Sequence, residues 1–292
     1  MLNINTNVNA SFAQSALTVN SRLQTTAMQQ LSTGKQINSA KDNAAGLAIS
    51  ETMTAQIRGL NMAVRNANDG ISYLQTAEGA MVEQTNMLQR MRELAVQAAS
   101  DTVDTTSKGY LNTEFSALRS EIDRIGGNTQ WNGKAILKGD NGTVLGASAS
   151  TGTVTFQVGA GTSGSGSTFT IAIGDMSTTG ASSTLTAISA SANISVSSAA
   201  SANAAITALD TALGNIASQR ATIGATMNRL TYAADNLTNI VQNTTDSRSR
   251  ILDTDYATAT TQLSRTQIIS QAATAMLAQA NQQQQSVLAL LK

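Results

Sequence analysis

The sequence contains no cysteine, no histidine and no proline among its 292 residues. Without cysteine the chain has no disulfide, thiolate nucleophile or thiolate metal site, and without histidine it lacks the commonest general base and metal ligand. Cysteine would risk premature oxidation, and proline would add slow isomerisation during folding. The three absences favour a protein that crosses a channel unfolded and refolds outside the cell, with drift in composition as the simpler alternative.

Aromatic residues make up only 3% of the chain, and 18 basic residues balance 18 acidic ones. The apolar content is mostly Ala, Leu, Ile, Val and Met, which suit helix–helix seams better than a thick globular core. The zero net charge gives no indication of nucleic acid or an anionic membrane as a partner. The start shows no cleaved signal peptide and no run reaches the ~18–20 apolar residues of a membrane span, so we expect export by a dedicated machine.

No group of residues in the sequence indicates catalysis. Residues 159–164 match the GxGxxG pattern, but strand-like sequence follows where a dinucleotide-binding loop needs a helix, which favours a flexible turn. The carboxylates are scattered, mostly beside Arg or Lys on helix surfaces. We therefore predict no catalytic, cofactor-binding or metal-binding residues and a protein that is not an enzyme.

Two long segments carry apolar residues at heptad spacing. The first includes Met53, Ile57, Leu60, Val64, Ala67, Ile71 and Leu74, and the second includes Leu209, Leu213, Ile216, Ile223, Met227, Leu230, Ala234 and Leu237. This spacing keeps one stripe of each helix facing a partner, as in a coiled coil. The first segment predicts a helix from about Ala44 to Ala98, roughly 80 Å long. Glu78 and Arg220 are polar exceptions in the two stripes.

Between the two heptad segments, the sequence predicts a short helix, then a strand region and then a segment rich in small polar residues. A shorter helical stripe containing Leu111 and Phe115 is predicted to end at Gly126-Gly127. Alternating apolar residues within about 131–176 predict a β-hairpin or small meander. Residues 177–202 are rich in Ser, Thr and Ala, and are either a surface linker or the start of the returning helix.

The two chain ends carry weak helical stripes that cannot bury their apolar faces alone. We predict a mainly α fold of antiparallel heptad helices forming a rod, with a small β-hairpin. The predicted domains are 1–43 with 253–292, and 44–202 with 203–252. The predicted subunit-packing residues are Phe12, Leu23, Leu31, Ile57, Leu60, Ile71, Leu74, Leu230, Leu237, Leu263, Met276, Leu288 and Leu291.

One helix surface, residues 88–97, combines apolar residues with Arg90, Arg92 and Glu93. The simpler interpretation is a set of core positions beside a charged face. The alternative is a recognition surface, because Arg beside exposed apolar residues is typical of interface anchors. The sequence alone leaves both interpretations open.

A series of short motifs runs along the chain at 31–34, 37–42, 44–46, 65–72, 88–97, 121–124, 132–133, 253–256 and 287–291. The order of these motifs closely resembles bacterial flagellin over the first ~140 and last ~90 residues. The resemblance implies a secreted structural subunit that self-assembles into the extracellular filament of the bacterial flagellum for swimming motility. A hook–filament junction protein, which has similar ends, is the alternative.

The resemblance also implies that the N- and C-terminal helices pair as an inner coiled coil, with the long heptad helices as the surrounding rod. It implies several partners as well. These are identical subunits, the type III export apparatus with its export chaperone, and the filament cap. They also include the vertebrate toll-like receptor that senses flagellin in innate immunity. The receptor epitope of the family maps onto Gln89, Arg90, Leu94, Leu111 and Glu114 in this sequence. The short central region, about 142–200, predicts a short form of the family without a large outer domain.

Overall fold

We analysed a computed structural model that describes residues 7–138, 151–161, 167–178, 184–188 and 195–290. The helices are α1 (Val8–Thr33), α2 (Ala44–Ala99), α3 (Thr105–Asn128), α4 (Ala199–Leu252) and α5 (Tyr256–Leu290). The strands are β1 (Gln130–Trp131), β2 (Lys134–Ala135), β3 (Thr151–Gln157) and β4 (Thr168–Gly174). The mainly helical fold with small antiparallel strand pairs, predicted from the sequence, is confirmed.

Each of these five helices begins after a side chain that caps its first turn. The capping residues are Asn7, Asn43, Asp104, Ser198 and Asp255, which accept hydrogen bonds from backbone N–H groups two or three residues further along. Such a cap satisfies an N–H group that has no partner inside the helix, and losing it typically costs about 1 kcal/mol. Short polar side chains therefore fix where the helices start.

The end of α3 differs from the sequence prediction. The helix continues through Gly126 and Gly127 to Asn128, and Thr129 follows in an extended conformation with φ −70°. A side chain at Gly126 would approach the carbonyl oxygen of Met176 to 3.0 Å. Gly126 therefore serves close packing of α3 against the segment after β4, and the prediction that the glycines stop the helix was wrong.

The chain divides into two compact units, Met1–Ile57 with Gln242–Lys292 and Arg58–Val241. Helices α2 and α4 contribute residues to both units. The division therefore falls inside two long helices, whereas the domains predicted from the sequence meet at helix ends. We call the first the terminal unit and the second the central unit.

In the central unit, α2 and α4 run antiparallel. Arg92 Nε lies 2.7 Å from Asp210 Oδ1, and Arg220 Nη2 lies 3.6 Å from Glu78 Oε1. The residue numbers of the contacting partners therefore fall along α4 as they rise along α2. The two polar exceptions of the heptad stripes therefore face each other. The stripe residues buried between the elements of this unit include Leu60, Ala67, Leu74, Met81, Leu88, Leu209, Ile216, Ile223 and Leu230.

Two antiparallel strand pairs lie within the region that the sequence predicted as a hairpin. In the first, Asn132 and Gly133 form the turn between β1 and β2 with φ angles of 49° and 77°. Positive φ at both central residues is the requirement of the tight type I′ turn, which Asn-Gly meets best. In the second, β3 and β4 pair over seven residues, with Phe156 opposite Phe169.

The β3–β4 pair packs on both long helices. Asn66 Nδ2 on α2 donates to the Gln157 carbonyl at 3.1 Å, and Gln219 Nε2 on α4 donates to the Ala172 carbonyl at 2.9 Å. On α2 a Cβ added to Gly70 would lie 3.0 Å from the Phe156 ring, so a larger residue there would press on this ring. The two amides satisfy outward-facing carbonyls that a two-stranded ribbon leaves unpaired.

In the terminal unit, α1 and α5 pair antiparallel. Asn20 Nδ2 donates to the Thr266 carbonyl at 2.7 Å, and Asn7 Nδ2 donates to the Ala280 carbonyl at 3.3 Å. Gly34, with φ 68°, ends α1 in the left-handed conformation and accepts a hydrogen bond from the Thr254 N–H at 3.0 Å. The predicted pairing of the terminal helices is confirmed.

Among the described helices, none is both long and apolar enough to cross a membrane.

Candidate assembly surface

The paired terminal helices leave most of their large apolar side chains in water. In α1 the buried residues are Asn20 and Ala27, whereas Phe12 is 77% exposed. Among the side chains described on the two helices, the other exposed large apolar residues are Val8, Val19, Leu23, Met28, Tyr256, Ile268, Ile269 and Met276. The fully buried residues of α1 are therefore polar or small, and these large apolar side chains stay exposed among the described residues of the terminal unit.

Part of this surface is a shallow open depression of about 380 Å³ along α1. It is lined by Phe12, Ser15, Ala16, Val19, Asn20 and Leu23. A single exposed apolar side chain needs no explanation, but a continuous apolar strip of this kind marks an interaction surface. We name the exposed apolar residues of α1 and α5 the terminal apolar surface.

The predicted subunit-packing residues fall into three groups. Phe12, Leu23 and Met276 are exposed and belong to the terminal apolar surface. Ile57, Leu60, Leu74, Leu230 and Leu237 are buried within the chain, while Leu31, Ile71 and Leu263 are half-buried. The side chains of Leu288 and Leu291 lie outside the described residues. Heptad periodicity predicts a stripe of apolar positions. It does not tell whether the same chain or a neighbouring chain covers them, so it does not separate the exposed residues from the buried ones.

A second surface is formed by residues 88–97 of α2. The sequence allowed these residues to be core positions beside a charged face or a recognition surface, and the structure has features of both. Leu88, Met91 and Leu94 are fully buried, which is the expected pattern of core positions. On the opposite side, the Arg90 guanidinium bonds Glu93 Oε2 and Glu114 Oε1, both at 2.9 Å. The hydrogen bonds to Glu93 and then Glu114 raise the pKa of Arg90 above its ordinary value.

The five residues of the predicted receptor epitope differ in their exposure to solvent. Gln89, Arg90 and Glu114 are exposed, and Leu111 is half-buried. Leu94 is only 1% exposed and belongs to the core of the central unit. Any contact with Leu94 would therefore require α2 and its neighbours to repack, whereas the two charged residues and Gln89 face solvent directly.

Beside this epitope lies an open depression of about 530 Å³, lined by Gln89, Arg92, Glu93, Val96 and Gln97. Val96 is exposed, and Arg92 is fixed by its contact with Asp210. The hydrogen bond to Asp210 raises the pKa of Arg92. The depression thus joins an apolar side chain to an oriented guanidinium, a combination found at protein interfaces.

Several carboxylates hold local structure. One carboxylate oxygen of Asp42 accepts hydrogen bonds from the backbone N–H groups of Asn38 and Ser39, which lower its pKa. The pKa of Asp255 is also lowered, and the hydrogen bond from the Thr258 hydroxyl has the largest effect. Across the described ranges, no three acidic side chains gather into a possible metal site. These carboxylates therefore stabilise turns and helix starts.

Sequence reasoning missed a buried polar junction in the central unit. Gln84 is fully buried, and its amide nitrogen donates to the carbonyls of Ile122 at 3.2 Å and Met176 at 3.1 Å. Asp123 on α3 accepts hydrogen bonds from both the backbone N–H and the hydroxyl of Thr178, whose side chain is fully buried. The junction fastens the segment after β4 to α2 and α3.

The sequence of the chain matches family models and known proteins over most of its length. Residues 4–142 match the bacterial flagellin N-terminal helical region, and residues 206–291 match the bacterial flagellin C-terminal helical region. The chain is 40% identical to a flagellin of Bacillus subtilis over the full length of both. It is 42% identical to a flagellin of Halalkalibacterium halodurans and 39% identical to the flagellar filament 33 kDa core protein of Treponema phagedenis, in each case over 99% of both chains. The chain therefore belongs to the bacterial flagellin family.

Proposed function

We propose that this protein is the structural subunit of an extracellular flagellar filament and that it assembles with identical copies to serve swimming motility. The observation that carries the proposal is the terminal apolar surface. Phe12 is 77% and Met276 is 65% exposed although α1 and α5 are paired. Burying such side chains is favourable by about 1.5–3 kcal/mol each, so neighbouring subunits that cover them gain a strong driving force.

The names of the relatives favour a filament over a hook–filament junction. Two of those compared are called flagellin, and the third is called a flagellar filament core protein. A structural polymer also needs no catalytic group, which agrees with a sequence that has neither His nor Cys. The role we propose is therefore structural and lies in packing surfaces, with no catalysis.

Export as an unfolded chain accounts for the unusual composition. A chain without Cys or Pro escapes premature oxidation and slow prolyl isomerisation when it refolds beyond a channel. We propose the type III export apparatus as the route, with an export chaperone before export and the filament cap at the site of assembly. No cleaved signal peptide is required on this route.

Electron microscopy of the purified full-length protein tests the proposed function. At high concentration the protein should grow long, uniform filaments without another component, because identical neighbours supply the missing apolar surface. A junction protein would stop at short rings or oligomers. A protein that stays monomeric at every concentration at which related subunits polymerise would overturn the proposal.

We further propose that the free monomer is sensed by the vertebrate toll-like receptor through Gln89, Arg90 and Glu114. The geometry that supports this proposal is the fixed position of Arg90, whose guanidinium is held between Glu93 and Glu114 on two helices. A pre-oriented Arg loses little side-chain freedom on binding and is a frequent hot spot. We assign buried Leu94 and half-buried Leu111 to supporting this surface from beneath.

Replacing Arg90 with alanine should lower signalling by roughly tenfold or more in receptor reporter cells, the loss typical of a hot-spot arginine. The matched control is Arg124→Ala, which removes another exposed arginine paired with a glutamate, Glu121, on α3. The control variant should signal as the unaltered protein does. Equal signalling by the Arg90 variant and the control would refute this surface.

A further inference from the structure

We propose that the turn between β1 and β2 is a site of spontaneous deamidation, at which Asn132 converts to aspartate and isoaspartate. Asn132 and Gly133 are both exposed. Within the described part of the chain, no heavy atom other than those of its chain neighbours lies within 4 Å of the position that a Gly133 side chain would occupy. The Asn132 amide and the backbone nitrogen of Gly133 therefore stand in open solvent, next to each other in the chain.

The chemistry needs only water and a solvent base. A base removes the proton from the Gly133 backbone nitrogen, and this nitrogen attacks Cγ of Asn132. The protonated base then returns the proton to Nδ2, the bond from Cγ to Nδ2 breaks, and ammonia departs. The product is a five-membered succinimide ring. Water hydrolyses either carbonyl of the ring, which gives aspartate or, with the backbone routed through Cβ, isoaspartate. Glycine presents no side chain to hinder the attack, since it has no Cβ.

The short strands allow the ring to form. Closure requires rotation about the Cα–C bond of Asn132, out of the left-handed turn conformation. The β1–β2 pair has only two residues in each strand, and isolated two-stranded pairs are marginally stable in water. Local opening of so small a pair is frequent on the timescale of hours. By contrast, Asp69-Gly70 lies inside α2, where helical hydrogen bonds hold the backbone rigid.

The modification would be permanent and would alter its surroundings. Isoaspartate lengthens the backbone by one carbon, which is incompatible with a two-residue type I′ turn. The new carboxylate also lies beside Lys134. Trp131, the sole tryptophan of the chain, adjoins the site and stacks edge-on against Tyr73 with 6.5 Å between ring centroids. We infer that the fraction of subunits with aspartate or isoaspartate at position 132 rises irreversibly with time.

Incubating the purified full-length protein in mildly alkaline buffer, with peptide mapping by mass spectrometry, tests the proposal. Asn132 should lose its amide at least about tenfold faster than Asn128, whose β-branched neighbour Thr129 hinders ring closure. Isoaspartate should appear among the products. The same incubation in urea shows that the conditions suffice for reaction. A smaller ratio between Asn132 and Asn128 in the folded protein would overturn the proposal.

Tryptophan fluorescence provides an independent readout. In the unaltered protein the emission should drift in step with loss of the Asn132 amide. In an Asn132→Gln variant, ring closure through the longer side chain is slow, so the emission should stay constant over the same period. A drift of equal rate in this variant would show that the fluorescence change has another origin and would remove the structural consequence that we infer.

Discussion

Replacing Phe12 and Met276 together with serine is expected to raise the critical concentration for filament assembly by roughly 10²–10⁴-fold. Both side chains are mostly in water in the single chain, so the folded subunit loses little when they are shortened. Each is expected to contribute about 1.5–3 kcal/mol when neighbours cover it, and each 1.4 kcal/mol changes an equilibrium constant tenfold. Sedimentation of assembled protein at graded concentrations measures the shift.

The control for this prediction keeps the apolar character of both positions. A Phe12→Leu, Met276→Leu pair retains most of the area that neighbours would bury and should shift the critical concentration much less than the serine pair does, since an apolar exchange of similar size costs less than about 1.5 kcal/mol. Circular dichroism should show the same helix content in both variants. If the serine pair assembled normally, the terminal apolar surface would not be the contact that drives assembly.

The separation between assembly and folding follows from where the apolar residues lie. In the central unit, Leu74, Leu88 and Leu230 are fully buried, so truncating them would change the stability of the subunit itself. In the terminal unit Ile37 and Ile57 are buried, but large apolar residues of α1 and α5 such as Phe12 and Met276 are exposed. A substitution in the terminal helices therefore changes contacts between subunits with little effect on the rest of the fold.

Much of this arrangement could be predicted from the sequence. The heptad stripe predicted a helix over about 44–98, and α2 extends over Ala44–Ala99. Polar residues before each apolar segment determine the helix starts, because Asn, Asp and Ser compete for backbone N–H groups in the first turn. Local chemistry and periodicity are properties of nearby residues, which a single sequence records fully.

What the sequence could not predict were contacts between distant residues. Glu78 and Arg220 each interrupt a heptad stripe, but their pairing depends on the register of α2 against α4. Gly126 looked like a helix stop because its tight contact with Met176 arises only in the folded chain. The sequence left open whether residues 88–97, including Leu94, are core or surface positions, and only packing reveals that Leu94 is buried. In each case the deciding neighbour lies far away in the sequence.

Asp123 is another residue whose importance depends on a distant partner, and its replacement by alanine should destabilise the central unit by about 2–4 kcal/mol. Its carboxylate accepts a hydrogen bond from the Thr178 hydroxyl at 2.6 Å and another from the Thr178 backbone N–H. Thr178 is fully buried, so both donors would be left without a partner away from water. Urea unfolding of the monomer should show a lower midpoint with an unchanged slope.

Glu121→Ala is the matched control, because it removes a carboxylate two residues away on the same helix. Glu121 pairs with Arg124 on the surface, where water and salt screen the charges and the broken pair is solvated at once. We therefore expect no measurable change in the urea midpoint for this variant. Equal midpoints for the Asp123 and Glu121 variants would mean that water reaches Thr178. The junction between α3 and the segment after β4 would then contribute little to stability, despite its burial.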